Sequence, residues 1–562
     1  EEADAGRRYF YHINGELRRP DPASLCQPEG VHGPSEIVDL QQFSWTDQQW
    51  KGLPASELII YELHTSTFTP QGTFEGVIKK LDYLSELGVN AIEIMPVGQF
   101  PGSRNWGYDG VFPFAVQHSY GGPYGLQKLV NACHEKGMAV VLDVIYNHLG
   151  PEGNYLGDYG PYFTEKYHTP WGKALNFDDA WCHGVRNYFL QNALMWFRDF
   201  HIDVLRLDAV HAIKDLGARH FLAELSESVQ QFSAESGRQC LLLAECDLND
   251  PRFLEPVERN GLGMQMQWVD EFHHALHSLL THERNGYYQD FGEMEHLARA
   301  FERGYVYTGE WSPHRQKYFG QPLNTQGGEQ LVVFTQNHDQ VGNRMLGDRL
   351  SKLVCFKALK LAATAMFTSP FVPMLFMGEE YGETNPFLYF VSHTDPELCR
   401  LVRQGRKREF AEFHKDGEAP DADAEETFLR SRLQWDHRLP QQQALLKLYR
   451  YLIKLKKEHP VLRTHDRQGL KASVPDSTRL LMVLRQKNSR KTCVLLNFAN
   501  ETATIAFNPE EGTASVARWK KIFDSADEKW HGSGESAPGI LEAGSPLIVQ
   551  PLSAVIYDAA DS

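Results

Sequence analysis

Four apolar runs in this chain lead into polar side chains that could do acid–base chemistry together. MAVVLDVIY (138–146) carries Asp143 and is followed by Asn147 and His148. DVLRLDAV (203–210) carries Arg206 and Asp208, with His211 three residues beyond Asp208. CLLLAE (240–245) ends in Glu245, and LVVFTQNHD (331–339) ends in Asn337-His338-Asp339. Taken singly, an Arg206–Asp208 ion pair or an Asp143/His148 loop cap would be ordinary structure. Four apolar runs that finish in charge at the same end are costly unless that end is a site. Converging carboxylates with an arginine and histidines suit cleavage of a glycosidic bond. One carboxylate must be ionised beside the anomeric carbon, and another must be protonated to assist the leaving oxygen. Arg206 points to the same side of a strand as Asp208, so it is expected to lower the Asp208 pKa and keep that group ionised. The apolar run before Glu245 and its acidic neighbours are expected to keep Glu245 protonated. Asp339 is then available for sugar hydroxyls, with His148 and His338 as hydrogen-bond donors to the same ring.

The elements that must position these groups alternate along the chain. Strand candidates fall at 57–64, 90–96, 138–146, 203–210, 240–245, 264–269, 331–339 and 373–380. Helical spacing of apolar residues appears at 74–88, 124–137 and 185–200. All but the sixth and seventh strands are followed by an evident helical stretch or a loop long enough to hold one. Apolar strands alternating with helices are buried parallel strands, and eight in one run favour a closed (β/α)8 TIM barrel of the α/β class, with the site at the C-terminal strand ends. After a helix at 441–459, RLLMVLRQ, KTCVLLNFAN, TATIAFN and PLIVQPLSAVIYD read as strands of a C-terminal antiparallel β-sandwich. Residues 1–50 lack periodicity and read as the tail of an N-terminal β module or a linker. The expected division is therefore 1–50, 51–462 for the barrel with long loop insertions, and 463–562 for the sandwich. DGEAPDADAEET (416–427) is expected to be a solvated loop.

Composition narrows the partners. The 562 residues carry 56 basic and 73 acidic side chains, a formal net charge of −17. That balance argues against nucleic acid and against an anionic membrane surface, both of which need a basic face. No apolar run approaches the roughly 18 residues of a spanning helix. The first ten residues lack the order of a signal peptide, though the chain opens without Met, and a missing N-terminal piece is expected. Eight scattered cysteines without a Cys-X-X-Cys pair read as free thiols of a reducing cytoplasm.

DVIYNH, LRLDAVH, the glutamate of LLLAE and TQNHD together resemble the four ordered motifs of the α-amylase family of glycoside hydrolases, over about 57–459. The resemblance implies that Asp208 is the nucleophile, Glu245 the acid/base and Asp339 the transition-state stabiliser, with retention of the α configuration. Arg206, His148 and His338 fall on the family's arginine and histidines, and Tyr108 of WGYDG on the ring beneath the sugar. Further segments, among them YNHLGPEGNY (146–155), WVDEFHH (268–274) and GEEYGETNPF (378–387), resemble the trehalose-releasing branch of that family. That branch hydrolyses the α-1,4 bond next to the terminal trehalose of maltooligosyl trehalose, which implies a functional link to a maltooligosyl trehalose synthase. Asp143, His211 and Asp270 complete the expected substrate-binding set. Glucan branching or debranching with the same catalytic set is the alternative, and a barrel that binds without catalysis is disfavoured because all three acids are present. No cofactor or metal is expected. Asn147 stands where many amylases hold calcium, but no clustered oxygen ligands accompany it. His273, His274 and His277 lack zinc-ligand spacing and are read instead as a stretch lining the substrate channel. Trp106, Trp171, Phe272, Tyr287 and Tyr288 are candidates for an aromatic platform under the trehalose end.

Overall fold

The computed structural model describes residues 4–410, 419–475, 478–509, 517–535 and 537–560. Its centre is a closed barrel of eight parallel strands: β1 (Ile60–Leu63), β2 (Ala91–Ile94), β3 (Ala139–Val144), β4 (Val204–Leu207), β5 (Leu241–Ala244), β6 (Met266–Trp268), β7 (Leu331–Phe334) and β8 (Val372–Phe376). Each strand pairs with its neighbours in sequence, and β8 closes on β1. Each of the eight strand candidates overlaps a barrel strand, the last beginning one residue earlier than expected, at Val372.

Alternation along the strands sorts the side chains into two environments. Ile60, Ala91, Val141, Val204, Leu243, Met266, Val332 and Met374 belong to one apolar cluster that fills the barrel. Trp50, Leu53 and Ala55 pack against it from the chain preceding β1. The opposite faces pack on the surrounding helices, chiefly α1 (Gly122–Glu135), α2 (Cys182–Asp199), α3 (Phe221–Ser236), α4 (Asp270–Thr281), α5 (His338–Gly342), α6 (Phe356–Thr368) and, after a further helix α7 (Pro396–Phe410), α8 (Pro440–Glu458). The two places where the sequence shows no evident helix are filled. α4 and a helix at Met294–Arg303 follow β6, and α5 and α6 follow β7. The helical stretch expected at 74–88 is divided into Phe74–Ile78 and Leu81–Leu87.

Beyond α8 lie β9 (Leu470–Ser473), β10 (Leu480–Lys487), β11 (Arg490–Asn497), β12 (Ala503–Ala506), β13 (Arg518–Asp524), β14 (Ile540–Glu542), β15 (Pro546–Val549) and β16 (Ser553–Ala559). They form a six-stranded antiparallel sheet, β9-β10-β11-β16-β13-β14, and the pair β12-β15. One face of the large sheet (Leu480, Cys493, Leu495, Val555, Tyr557) shares a core with Ile505, Phe507, Leu547 and Val549 of the pair. The other face (Leu481, Val483, Val494, Ile556) joins the core around the barrel. PLIVQPLSAVIYD is therefore two strands in different sheets, broken at Pro551 and at Leu552, whose φ is +48°. Before the barrel, Arg8–Tyr9 pairs with Ser35–Glu36, and Tyr11–Ile13 with Leu17–Arg19. Of the stretch 416–427, residues 416–418 lie outside the described residues, and 425–427 begin a short helix, Glu425–Arg430, in which Thr427 is buried.

Leu495 is fully buried between the two C-terminal sheets. Leu495→Ala should cost about 2–5 kcal/mol, read as a lower denaturant midpoint for the transition that exposes Trp519; an unchanged midpoint would contradict the shared core.

Candidate active site

The C-terminal ends of β3, β4 and β5 meet on one guanidinium. Arg206 is fully buried, with its guanidinium carbon over the Trp268 ring, 4.3 Å from the centroid. Its Nη1 donates to Asp143 at 2.8 Å and to Asp208 at 2.9 Å, and its Nη2 stands 3.2 Å from Glu245. Strand register makes this possible. Arg206 is directly opposite Asp143 in the β4–β3 pairing, and Asp208 follows on the same side of β4. Ala209 holds a left-handed conformation (φ +37°), a strained geometry for a residue with a Cβ. That twist aims its N–H at Glu245, which accepts it at 2.6 Å.

The other groups come from loops. Gly107 takes φ +109°, and a Cβ there would meet the Pro96 carbonyl at 2.3 Å, so only glycine lets this loop settle on β2's end. Tyr108 then donates its hydroxyl to Asp143 at 2.6 Å and meets His338 Nε2 at 2.7 Å. Asn337 caps α5 by accepting from the Asp339 and Gln340 amides, which fixes His338 and Asp339 in its first turn. Asp339 accepts from Asn343 at 3.2 Å, and Asn343 in turn accepts from Arg406 of α7 at 3.1 Å. A cavity of about 520 Å3 opens above these groups, lined by Tyr108, His148, Asp208, Glu245 and Asp339 among others.

Burial dominates the ionisation. It pushes the Asp208 carboxyl up to about 6 against the pull of Arg206, with Asp143 and Asp339 adding to the rise. The expected depression of Asp208 is therefore reversed, although the group is still mostly ionised at pH 7. Glu245 is pushed higher, to about 7, by burial against Arg206 and by the charges of Asp208 and Asp339. Asp143 rises to about 6 for the same reason of burial. The two carboxyls thus separate in the order that acid and nucleophile require.

The expected site residues divide. Tyr108, His148, Asp208, His211, Glu245 and Asp339 line the cavity, while Asp143, Arg206 and His338 support them from below. Asp270 opens α4, where Gln340 donates to its carboxyl at 3.1 Å. Burial and the charges of Glu245, Asp247 and Asp339 raise it to about 8, so it is an uncharged hydrogen-bonding group at neutral pH. His148 differs from the expected donor. Its Nε2 hydrogen goes to the Tyr108 carbonyl at 3.0 Å, and burial lowers its pKa to about 4, so the unpartnered Nδ1 is an acceptor.

Of the aromatic platform, Trp106 and Trp171 line the cavity, Trp171 stacked on His148. Phe272 is buried in the core on α4, and Tyr288, in the short helical turn Gly286–Asp290, is buried against His273 and His277 of that helix. Tyr287 stacks on His274. EFHHALH is accordingly a buried helix rather than a channel lining: His273 bonds the Thr335 carbonyl and His277 bonds Glu283. Asn147 is buried with neither amide atom partnered, and among the described residues no group of three His, Cys, Asp or Glu side chains is placed to hold a metal.

Sequence reading missed Trp268, Asn343, Arg406 and the pair Glu62 and Glu93. The glutamates carry a readable signal, a carboxylate at the inward position of an otherwise apolar strand (IYEL, AIEI).

Comparisons with known proteins agree with this geometry. The model of the alpha amylase catalytic domain matches residues 41–171. A malto-oligosyltrehalose trehalohydrolase from Saccharolobus solfataricus is 50% identical over 454 residues, 81% of this chain and 78% of that protein. One from Rhizobium sp. (strain M-11) is 44% identical over 502 residues, covering 88% and 84%. The chain belongs to the malto-oligosyltrehalose trehalohydrolase family. A solved structure of a candidate alpha amylase from Salmonella typhimurium is 35% identical, with a TM-score of 0.88 over 99% of this chain and 91% of that one. In a member of this glycoside hydrolase family, the ion cluster on Arg206 occupies the place where strand ends of a (β/α)8 barrel carry catalysis.

With Asp208 needed ionised and Glu245 needed protonated, activity should fall below about pH 6 and above about pH 7. A kcat/KM profile with both limbs checks this; a plateau extending to pH 9 would reject Glu245 as the acid.

Proposed function

We propose that this chain hydrolyses the α-1,4-glucosidic bond next to the terminal trehalose of maltooligosyl trehalose, with retention, and releases trehalose. The observation that carries this reading is the identity of 50% and 44% to two trehalohydrolases across about four fifths of each chain, joined to three carboxyls converging on one cleft.

In this reading Glu245 gives its proton to the glycosidic oxygen while the Asp208 carboxylate attacks the anomeric carbon. Trehalose departs as the neutral alcohol, and the glucan remains as an ester on Asp208. Water then enters, loses a proton to Glu245 and displaces Asp208. Both carboxyls meet adjacent nitrogens of one guanidinium, which suits the close spacing of roughly 5–5.5 Å used by retaining pairs. Asp339 takes the sugar hydroxyls whose hydrogen bonds strengthen as the ring flattens. His148 lines the cleft beside Asp208, and Tyr108 and Trp171 offer faces for stacking. Asp143, His211, His338 and Asp270 complete the substrate-binding set, directly or through these groups.

No described helix is long and apolar enough to cross a membrane, and all eight cysteines are free. We place the protein in the cytoplasm on that thiol chemistry, downstream of a synthase that makes the terminal trehalose unit. The barrel at 51–462 and the sandwich at 463–562 are the divisions we assign to catalysis and support.

Incubation with maltooligosyl trehalose should yield free trehalose, with little cleavage of the plain maltooligosaccharide. Asp208→Asn and Glu245→Gln should each lower kcat by several orders of magnitude. Branched products, or variants within tenfold of the parent, would overturn the reading.

A further inference from the structure

The catalytic steps use neither of the two carboxyls that β1 and β2 send into the barrel. Glu62 and Glu93 stand opposite each other in the β1–β2 pairing, both almost wholly buried, two residues beyond Ile60 and Ala91 of the apolar cluster that fills the barrel. Burying two carboxyls side by side is expensive and is retained only where the charge has a partner. Glu62 has one. Its Oε2 accepts the His338 backbone N–H at 3.0 Å, and its Oε1 meets the His338 Nδ1 at 2.5 Å.

Hydrogen counting then fixes the state of His338. The Tyr108 hydroxyl has one hydrogen, and it goes to Asp143, which pairs with Arg206 and is a carboxylate above about pH 6. Tyr108 must therefore accept from His338 Nε2 at 2.7 Å, while Nδ1 donates to Glu62. Both ring nitrogens carry hydrogen, so the ring is an imidazolium. We propose that Glu62 is a positioning residue that holds His338 as this doubly protonated cation beneath the cleft, and so sets the charge that faces Asp339, 3.5 Å from Nε2.

The surrounding groups agree. Asp339 on α5 and Glu62 on β1 favour the cation, and Arg206 on β4 opposes it. Burial works against the charge, yet the balance still lifts His338 to about 9. Glu93 on β2 is forced well above the usual carboxylate range by burial and by Glu62, and neither of its oxygens has a partner. It is the protonated member of the pair. His64, which also faces this cluster, is lowered to about 3 by burial and is neutral. Trp106 meets the His338 ring edge to face, and Tyr108 stacks on it. Glu62 acts through His338 and touches no substrate.

This inference deepens the retaining-hydrolase reading, and one of its two tests does not need activity. In the first, the kcat ratio of Glu62→Gln to the parent is measured from pH 5 to 8. Glutamine keeps an acceptor near Nδ1 but removes the counter-charge. Beyond any constant factor, the ratio should fall at least tenfold as pH rises, because only the variant loses the imidazolium in that range. Glu93→Gln, an amide for a protonated acid, should give a flat ratio. A ratio for Glu62→Gln that does not change with pH overturns the proposal. In the second, 15N-histidine NMR of the parent, with His338 assigned by its loss in His338→Asn, should show both ring nitrogens protonated up to pH 8. A His338 signal that titrates near 6.5 overturns the proposal whether or not Glu62→Gln folds, and whatever substrate the protein takes.

Discussion

One buried guanidinium holds the chemistry of this barrel together. Arg206 ties carboxyls from β3, β4 and β5 into a single cluster and rests on Trp268 from β6, so four of the eight strands meet on one side chain. Three carboxyls gathered without it would repel and would protonate together. With it, one positive charge is shared among three acids, which leaves each carboxyl incompletely neutralised. That deficit is useful. Burial lifts Asp208 only to about 6 but Glu245 to about 7, so a nucleophile and an acid coexist in a narrow range of pH.

The cluster continues as a chain of hydrogen bonds rather than ending at Arg206. Asp143 passes to Tyr108, Tyr108 to His338, and His338 to Glu62 on β1. The top layer of the barrel is thus an alternation of acid and base, closed from β1 to β5, over a floor of aliphatic residues. Such a network is favourable only when each member is satisfied. Arg206 Nε and both Glu93 oxygens stay without a hydrogen-bond partner inside it, while the exposed third of Asp339 faces the cavity, where a sugar's hydroxyls can complete it.

Much of this was legible in the sequence. Parallel strands buried on both faces read as apolar runs, and a barrel puts its chemistry at one end of them, so Asp143, Arg206, Asp208, Glu245 and Asp339 stand out. What was not legible depends on depth and direction. The sign of the Asp208 shift follows from how completely β4's end is covered, which residue spacing does not record. EFHHALH has helical spacing on a face that happens to be buried, so its histidines resemble a functional cluster while bonding Thr335 and Glu283. Phe272 and Tyr288 were drawn to the cleft by their type alone. Glu62 and Glu93 sit in short apolar strands and show themselves only once their inward direction is known. PLIVQPLSAVIYD reads as one strand because the switch between sheets is made by three residues, 550–552.

The dependence on Arg206 is open to direct measurement through the pH profile of Arg206→Lys. Lysine keeps the charge but cannot present two nitrogens in a plane to three carboxyls. The expected result is a kcat at least a hundredfold lower, with the acid limb moved up by a pH unit or more as the Asp208 carboxyl loses its fixed partner, in a protein whose circular dichroism still matches the parent's. Activity within tenfold of the parent, with the acid limb still near pH 6, would contradict the central role of the guanidinium.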